Sequence, residues 1–441
     1  MFASLRLPGA LRAFVPALIG RSALAMAGLA VLLAVQEGTG SFALAGLASA
    51  AFGLANVVAA PWRARAVDRW GQPRALGALG IVQAAGFVAF GIVSAVATAP
   101  GTVAFWSVAL AVVVGLSAPP LGAAMRVVWS SLTDAGPQRE KAFSLDAVAE
   151  ELLFVGGPVA ITAIIVASSP SVGLFVTAGV GLVGTLGLIT STASAVLSGN
   201  PPRPREHRAR PLAVPGFLRV LVVLAGVGAV LGVVEIGAPA LAAERDAVPL
   251  AGWLLAAFAA GSAGGGLVYG HVRWRASLGV RLLVLCAAIG LTAVAVSTFG
   301  SLPLFAGGLV LLGAFLAPSL ITGYLVADTV VASDGRTEAS AWINHAVNLG
   351  ASLASAVAGA VIDASGTGVA LLVVGLVAVA LTAVVPVRRL RGAGEVVEDS
   401  GAGSAEPAMR PAGCAQPEVE PDELVGGGDT GLPAEGRHAE K

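Results

Sequence analysis

Residues 42–97 read FALAGLASAAFGLANVVAAPWRARAVDRWGQPRALGALGIVQAAGFVAFGIVSAVA. Two apolar segments, 42–62 and 75–97, flank a short polar turn that is rich in arginine. A helix needs about 20 apolar residues to cross a bilayer core of about 30 Å. The stretch therefore predicts two membrane-spanning helices that are joined by a short loop.

The same alternation of apolar segments and short polar turns continues to residue 387. It predicts an all-α integral membrane protein with twelve transmembrane helices and no inserted soluble domain. The predicted spans are 14–36, 42–62, 75–97, 103–125, 143–167, 172–195, 217–238, 250–270, 278–298, 303–326, 340–361 and 367–387.

Composition excludes several classes of protein. The chain has 441 residues, of which 56% are hydrophobic and 12% charged, whereas an ordinary soluble domain is about a quarter charged. The formal net charge is +0, so no positive field attracts nucleic acid. Two cysteines, Cys286 and Cys414, do not make a disulfide framework or a four-thiolate metal site. We expect no cofactor, no metal and no nucleic-acid partner.

The basic residues predict the orientation in the membrane, because they favour cytoplasmic loops. With the N-terminus inside, the twelve spans sort every Lys and Arg except Arg245 to the cytoplasmic side. This sorting assigns Arg21 to the cytoplasmic N-terminus and places both termini inside. Lysine is rare, only Lys141 and Lys441, which favours a GC-rich bacterial genome and hence a bacterial cytoplasmic membrane.

A polar loop divides the spans six and six. We predict a first six-helix bundle at 1–198, a cytoplasmic loop at 199–214, a second bundle at 215–390 and a disordered cytoplasmic tail at 391–441. The halves show weak internal repeats: Arg21 aligns with Arg219, Glu37 with Glu235, Ala118-Pro119 with Ala317-Pro318, and Arg139 with Arg336. A parallel duplication places a substrate site between the halves, near the bilayer midplane.

The turn that follows the second span carries a family resemblance. Its sequence Asp68-Arg69-Trp70-Gly71-Gln72-Pro73-Arg74 resembles the major facilitator superfamily signature Gly-x-x-x-Asp-Arg-x-Gly-Arg-Arg, although Ala64 replaces the first glycine. The resemblance implies two pseudo-symmetric six-helix bundles that rock between inward-open and outward-open states. It also implies an inner-gate latch formed by Asp68, Arg69, Gly71 and Arg74.

The fifth span contains a second element of this kind. Gly156-Gly157-Pro158 resembles, in reduced form, the Gly-Pro element of the drug–proton antiporters of that superfamily. The resemblance makes Gly157 and Pro158 candidates for a helix bend and favours an exporter.

Ionisable side chains within a membrane are costly, so each is a candidate for function. Glu150 and Glu151 lie in the fifth span and point about 100° apart, so that one faces the central cavity and the other a neighbouring helix. A carboxyl group in a low-dielectric site binds protons more tightly. Either acid is therefore a candidate for carrying coupling protons; the alternative is a structural pairing with Arg126.

The remaining candidates lie on three other spans. Glu37 and Glu235 occupy equivalent places near the outer ends of spans 1 and 7, where they bind protons or a cationic substrate, act as a gate, or are simply hydrated. Asn344, His345 and Asn348 share a small, polar row on span 11. Histidine titrates in the useful range, and hydrogen bonding between helices is the alternative role.

These patterns predict a secondary active transporter, not an enzyme. We expect proton-coupled efflux of a small solute by a monomer. The alternatives are an importer of the same fold, a transporter-like receptor or scaffold without flux, and a membrane-embedded enzyme. An enzyme would need a cluster of catalytic residues within the spans, where His345 is the only histidine.

Overall fold

The computed structural model describes residues 5–97, 99–134, 137–191, 212, 214, 216–272, 274–330 and 336–384. The predicted tail at 391–441 and nearly all of the predicted loop at 199–214 lie outside these residues. The side chain of Glu151 also lies outside them.

Long helices form nearly all of the described chain. In the first half they are α1 Ala10–Thr39, α2 Phe42–Trp70, α3 Gln72–Val96, α4 Pro100–Ser117, α5 Leu121–Leu132, α6 Pro137–Ala167 and α7 Pro170–Ile189. In the second half they are α8 Phe217–Glu244, α9 Ala251–His271, α10 Leu278–Val296, α11 Leu302–Ala314, α12 Leu316–Val330, α13 Arg336–Ser365 and α14 Thr367–Val384. They make 12 apolar spans long enough to cross a membrane, which confirms the predicted all-α fold.

Two spans differ from the sequence prediction, because each consists of two helices instead of one. Span 4 breaks between α4 and α5 at Ala118-Pro119-Pro120, and span 10 breaks at Phe315 between α11 and α12. Proline lacks an N–H group and its ring clashes with the preceding turn. Pro119 therefore leaves the carbonyl of Gly115 without its partner within the helix, and this carbonyl becomes an acceptor for another side chain.

The two halves repeat the same helix contacts. α7 packs against α1 and α3 in the first half, as α14 packs against α8 and α10 in the second. Likewise α2 packs against α4, and α9 against α11. In the second of these pairs, a Cβ atom at Gly261 or Gly265 would overlap the backbone of α11. The spacing Gly261-x-x-x-Gly265 is typical of such close helix packing. The exact boundaries of the halves stay a prediction.

Two helix pairs make the main contacts between the halves. The α2–α13 seam has no room for a side chain at Gly46, where a Cβ would overlap the carbonyl of Ser355, or at Gly359, where it would overlap that of Phe42. The α6–α9 seam brings Gly252 against the carbonyl of Pro158. Each close contact lies toward the end of the bundle that the basic residues predict to be outside.

Candidate functional site

A cavity of about 230 Å³ lies within the first half, where the helices surround the break between α4 and α5. Apolar side chains and prolines form part of its wall. The polar and charged side chains that line it are Arg21, Asn56, Arg63, Gln83, Arg126 and Glu150.

A cluster of two arginines and two acids lies at one side of the cavity, where Arg21, Arg126 and Glu150 line the wall and Asp146 lies behind it. Arg21 places Nη1 2.8 Å from Oδ1 of Asp146 and Nη2 2.6 Å from Oε2 of Glu150. Arg126 is more distant, with Nε 4.0 Å from Asp146 and Nη2 3.6 Å from Glu150. The exposed fractions of the side chains are 7% for Arg21 and 2% for Asp146, against 54% for Arg126. Arg21 therefore holds the acids tightly, and Arg126 faces open space.

The helix register explains how the cluster forms. Asp146 and Glu150 are four residues apart on α6, so they share one face of that helix. Arg21 lies across from them on α1, and its guanidinium group passes within 3.7 Å of the Cβ position of Gly122 on α5. A larger residue at Gly122 would narrow the space for Arg21.

Two assignments from the sequence need correction here. Arg21 was assigned to the cytoplasmic N-terminus, but α1 begins at Ala10 and buries Arg21 within the helix bundle. Asp146 was not selected at all, although it lies inside the predicted fifth span. Its spacing of four residues from Glu150 is the signal that identifies both acids as one group.

Arg63, on α2, forms a second positive centre in the same cavity. Its Nη1 donates to the carbonyl of Gly115 at 2.9 Å, which is the acceptor freed by Pro119. Its Nη2 donates to the backbone carbonyl of Asn56 at 2.7 Å and to the side-chain oxygen of that residue at 2.8 Å. Arg63 is 8% exposed, and its Nε has no hydrogen-bond partner within the described residues.

The second half presents neutral polar groups. Tyr324 on α12 donates to Oδ1 of Asn344 on α13 at 2.8 Å. Asn344 and Asn348 are exposed, and their amide groups also donate to carbonyls one turn earlier on α13. His345 is half-buried, with its ring edge-to-face against Trp342 at 6.0 Å.

The polar row on α13 changes its environment along the helix. Ala341 and Asn348, on the inner half of α13, are exposed, whereas Ser352 and Ser355, on the outer half, are buried at the α2–α13 seam. Asp363 completes this seam by capping the N-terminus of α2. Its carboxylate accepts hydrogen bonds from Oγ of Ser41 at 2.7 Å, N of Phe42 at 2.9 Å and N of Ala43 at 2.8 Å.

Glu37 and Glu235 lie apart from the cluster. Glu37 is exposed near the C-terminal end of α1. Glu235 is exposed on α8, although its neighbours Val234 and Ile236 are buried.

Three of the four predicted latch residues lie on the surface. Asp68, Arg69 and Arg74 are exposed, and Gly71 ends α2 with φ 80. The neighbouring Gln72 is buried and donates to the carbonyl of Ala124 on α5 at 3.2 Å. This hydrogen bond attaches the turn to α5. The latch role of the turn stays a prediction.

The predicted bend residues lie at helix contacts. Gly157 and Pro158 are both buried in α6, which continues through them as one helix from Pro137 to Ala167. A Cβ atom at Gly157 would lie 2.7 Å from Cβ of Ala25 on α1. These two residues therefore bring α6 close to α1 and, through Pro158, to α9.

Comparison with solved structures identifies the architecture. A mutant of the nucleoside transporter NupG matches with a TM-score of 0.69 at 13% identity, covering 85% of this chain and 98% of that one. The POT family transporter PepTSo matches with 0.67 at 11% identity, covering 90% and 99%. A mutant of the peptide transporter POT matches with 0.67 at 13% identity, covering 86% and 93%. The fold is that of the major facilitator superfamily. No family model and no curated protein matches the sequence.

Within this major facilitator fold, sequence reasoning missed three residues that shape the site. These are Asp146 in the cluster, Arg63 in the cavity wall and Asp363 at the α2–α13 seam. For Arg63, the sequence signal is Pro119-Pro120. Pro119 follows Gly115 by four residues and so frees the carbonyl to which Arg63 donates. For Asp363, no pattern in its own sequence neighbourhood points to Ser41.

Proposed function

We propose that this protein is a secondary active transporter that moves a small solute across a membrane by alternating access between its two halves. One observation carries the proposal: a cluster of four charged residues lies at one side of a cavity inside a twelve-span membrane fold. Charged groups at such a depth are costly, and in transporters they mark substrate or ion pathways. The protein works as a monomer in a bacterial cytoplasmic membrane, with both termini inside.

Coupling to protons takes place at Glu150. This acid lines the cavity and contacts both Arg21 and Arg126, whereas Asp146 lies behind it and is almost fully buried. A proton on Glu150 removes its ion pairs and leaves Arg21 bound to Asp146 alone. The proton therefore changes how α1 and α5 are held to α6, and these helices form the cavity wall.

The seams support the alternating-access part of the proposal. The close contacts and the Asp363 cap lie toward the predicted outer end, while Asn344 and Asn348 are exposed toward the inner end. This arrangement corresponds to an inward-open state. Separating the outer seam breaks the three hydrogen bonds of Asp363, which makes Asp363 an outer gate residue.

Export is the first candidate for direction, on the basis of the Asp68-Arg69-x-Gly71 turn and the Gly157-Pro158 element. Uptake is the second candidate, and the shared contact of Glu150 and Arg126 favours it. Protonation of Glu150 would release Arg126, so a proton and an anionic solute would bind together and move in the same direction.

Flux measurements in proteoliposomes test these proposals. The full chain is reconstituted and offered a solute panel with an imposed pH gradient of either sign and with none. Proton-driven flux supports the transporter, and the gradient sign that accumulates solute distinguishes export from uptake. Saturable solute binding without flux under any gradient would instead identify a receptor.

A further inference from the structure

We propose that the cavity in the first half binds the carboxylate group of a small organic anion between Arg63 and Arg126. This inference rests on the proposed transport function and names its substrate class. The first argument is the charge of the cavity wall. The cavity is lined by three guanidinium groups, those of Arg21, Arg63 and Arg126, and by one carboxylate, that of Glu150. With Asp146, which pairs with Arg21 behind the wall, these five charged residues have one positive charge in excess.

The distances show which arginines remain available. Arg21 is committed, because both of its terminal nitrogens lie within 2.8 Å of carboxylate oxygens. The two contacts of Arg126, at 3.6 Å and 4.0 Å, are longer than hydrogen bonds, and its side chain is 54% exposed. Arg126 can therefore turn to a new anion without breaking a hydrogen bond to either acid.

Arg63 supplies the excess charge. Within the described residues, no carboxylate lies within ion-pair distance of its guanidinium group. Its three hydrogen bonds all go to neutral oxygens of Gly115 and Asn56. A guanidinium group has five N–H groups, so two remain, and one of them is the buried, unpartnered Nε. An uncompensated buried cation is costly, and an anionic ligand removes this cost.

The rest of the cavity fits a small ligand. Its volume of about 230 Å³ is below the usual range of about 300–1,000 Å³ for pockets that hold drug-sized molecules. The amide groups of Asn56 and Gln83 provide neutral hydrogen-bonding groups on the same wall. Leu24 and Phe154 provide apolar surface for the remainder of the molecule. A planar carboxylate matches the fork of donors that an arginine presents.

Calorimetric titration of the full-length protein in detergent tests this site, with benzoate as the probe. Benzamide is the uncharged probe of the same shape, and benzylamine is the cationic one. We expect benzoate alone to bind. Arg126→Gln and Arg63→Gln should each weaken binding about ten- to hundredfold, the effect of losing a hydrogen bond to a charged group. Arg65→Gln, an exposed position on α2, is the matched control and should leave binding unchanged.

Several results would overturn the inference. Equal binding of benzamide or preferential binding of benzylamine would exclude an anion site, and inorganic phosphate that binds more tightly than benzoate would exclude a carboxylate site. Arg63 also donates a hydrogen bond to the carbonyl of Gly115, and its loss can prevent folding. If Arg63→Gln does not fold, the variant of the exposed Arg126 provides the test. Unchanged benzoate affinity in Arg126→Gln would then refute the site.

Flux distinguishes failure of this inference from failure of the proposed function. Proteoliposomes that move an uncharged solute, from a protein that does not bind benzoate, would refute the anion site and leave transport standing. Benzoate binding that requires Arg126, without flux of any solute, would support the site and refute transport.

Discussion

The two halves share their helix packing but differ in what they place at the centre. The alignment that pairs Arg139 with Arg336 also pairs Asp146 and Glu150 of α6 with Ile343 and Val347 of α13. Ile343 and Val347 are buried apolar residues. At these aligned positions the first half therefore carries charged side chains, whereas the second half carries apolar ones.

The way each half joins its helices explains this difference. In the second half, Gly228 and Gly232 of α8 lie directly against the carbonyls of Val347 and Ala351 on α13. In the first half, Arg21 joins α1 to α6 through ion pairs. Close backbone packing cannot be switched by a ligand, whereas an ion pair responds to a proton or a competing charge. Under the proposed mechanism, the response to a proton therefore belongs to the first half.

Arg21→Gln should have the largest effect. It removes the main ion-pair partner of Asp146, whose side chain is 2% exposed. Removing one member of a buried ion pair lowers the free energy of unfolding by about 3–5 kcal/mol. Arg219, which is half-buried, is the aligned residue of the second half and serves as the control. Its change to Gln should lower the free energy of unfolding by about 0.5 kcal/mol or less. Thermal unfolding of the purified variants measures the difference.

The double variant Arg21→Gln/Asp146→Asn should regain part of the lost stability, because it removes the unpaired charge. Equal destabilisation by Arg21→Gln and Arg219→Gln would show that the two halves do not differ in this way.

Glu150→Gln should abolish most of the dependence of flux on the pH gradient, because acidic residues within spans are the groups that relay protons in transporters. The amide keeps the size of the side chain but cannot exchange a proton at this position. Asp246→Asn, an exposed loop position near the predicted outer end, is the control. Flux in proteoliposomes with and without a gradient measures the effect. A variant that keeps the full gradient dependence would assign coupling to another group, with Glu151 and Glu235 as the next candidates.

Asp363→Asn should shift the conformational equilibrium toward the outward-open state. Loss of a helix-capping carboxylate costs about 0.5–2 kcal/mol, which corresponds to a shift of about two- to thirtyfold. A cysteine introduced at Leu24, exposed on α1 beside the cavity, reports the state through labelling by a membrane-impermeant maleimide added from outside.

Labelling should increase in Asp363→Asn and remain low in Glu37→Gln, which alters an exposed acid at the same predicted end. Unchanged labelling in both variants would mean that the Asp363 cap does not control the seam.

Asp68→Asn should have the smallest effect, a fall in transport rate of severalfold with normal membrane insertion. Asp68 is exposed here, so its contribution belongs to the opposite state, in which the inner ends of the halves meet. The corresponding turn after the eighth span aligns Arg69 with Arg275 and therefore Asp68 with Trp274, so only the first half supplies an acid at this turn. Asp134→Asn, another exposed acid, is the control, and equal rates in wild type and both variants would remove the latch from the mechanism.

Much of the fold was accessible from the sequence. The length of the apolar segments predicts twelve spans, and Gly261-x-x-x-Gly265 predicts a close helix contact, because both depend only on local composition and spacing. The breaks in spans 4 and 10 were missed, although Pro119-Pro120 marks the first of them. Hydropathy averages over a window and does not register a local loss of backbone hydrogen bonds.

The site was accessible only in part. Glu150 and Arg126 were selected because ionisable groups in apolar segments are rare, and that criterion is local. The sequence could not show that Arg21 is the main partner of Glu150, since 129 positions separate them and orientation rules count Arg21 as a loop residue.

The sequence by itself determined the number of spans, the division into two similar halves and a short set of costly polar residues. These features follow from the free energy of transferring each segment from water into the bilayer, which depends only on the composition of that segment. The tertiary structure decided which charges meet, which half holds them and which arginine remains free. Those outcomes depend on distances between helices that are far apart in the chain, and electrostatic and hydrogen-bond energies change sharply within a few ångströms.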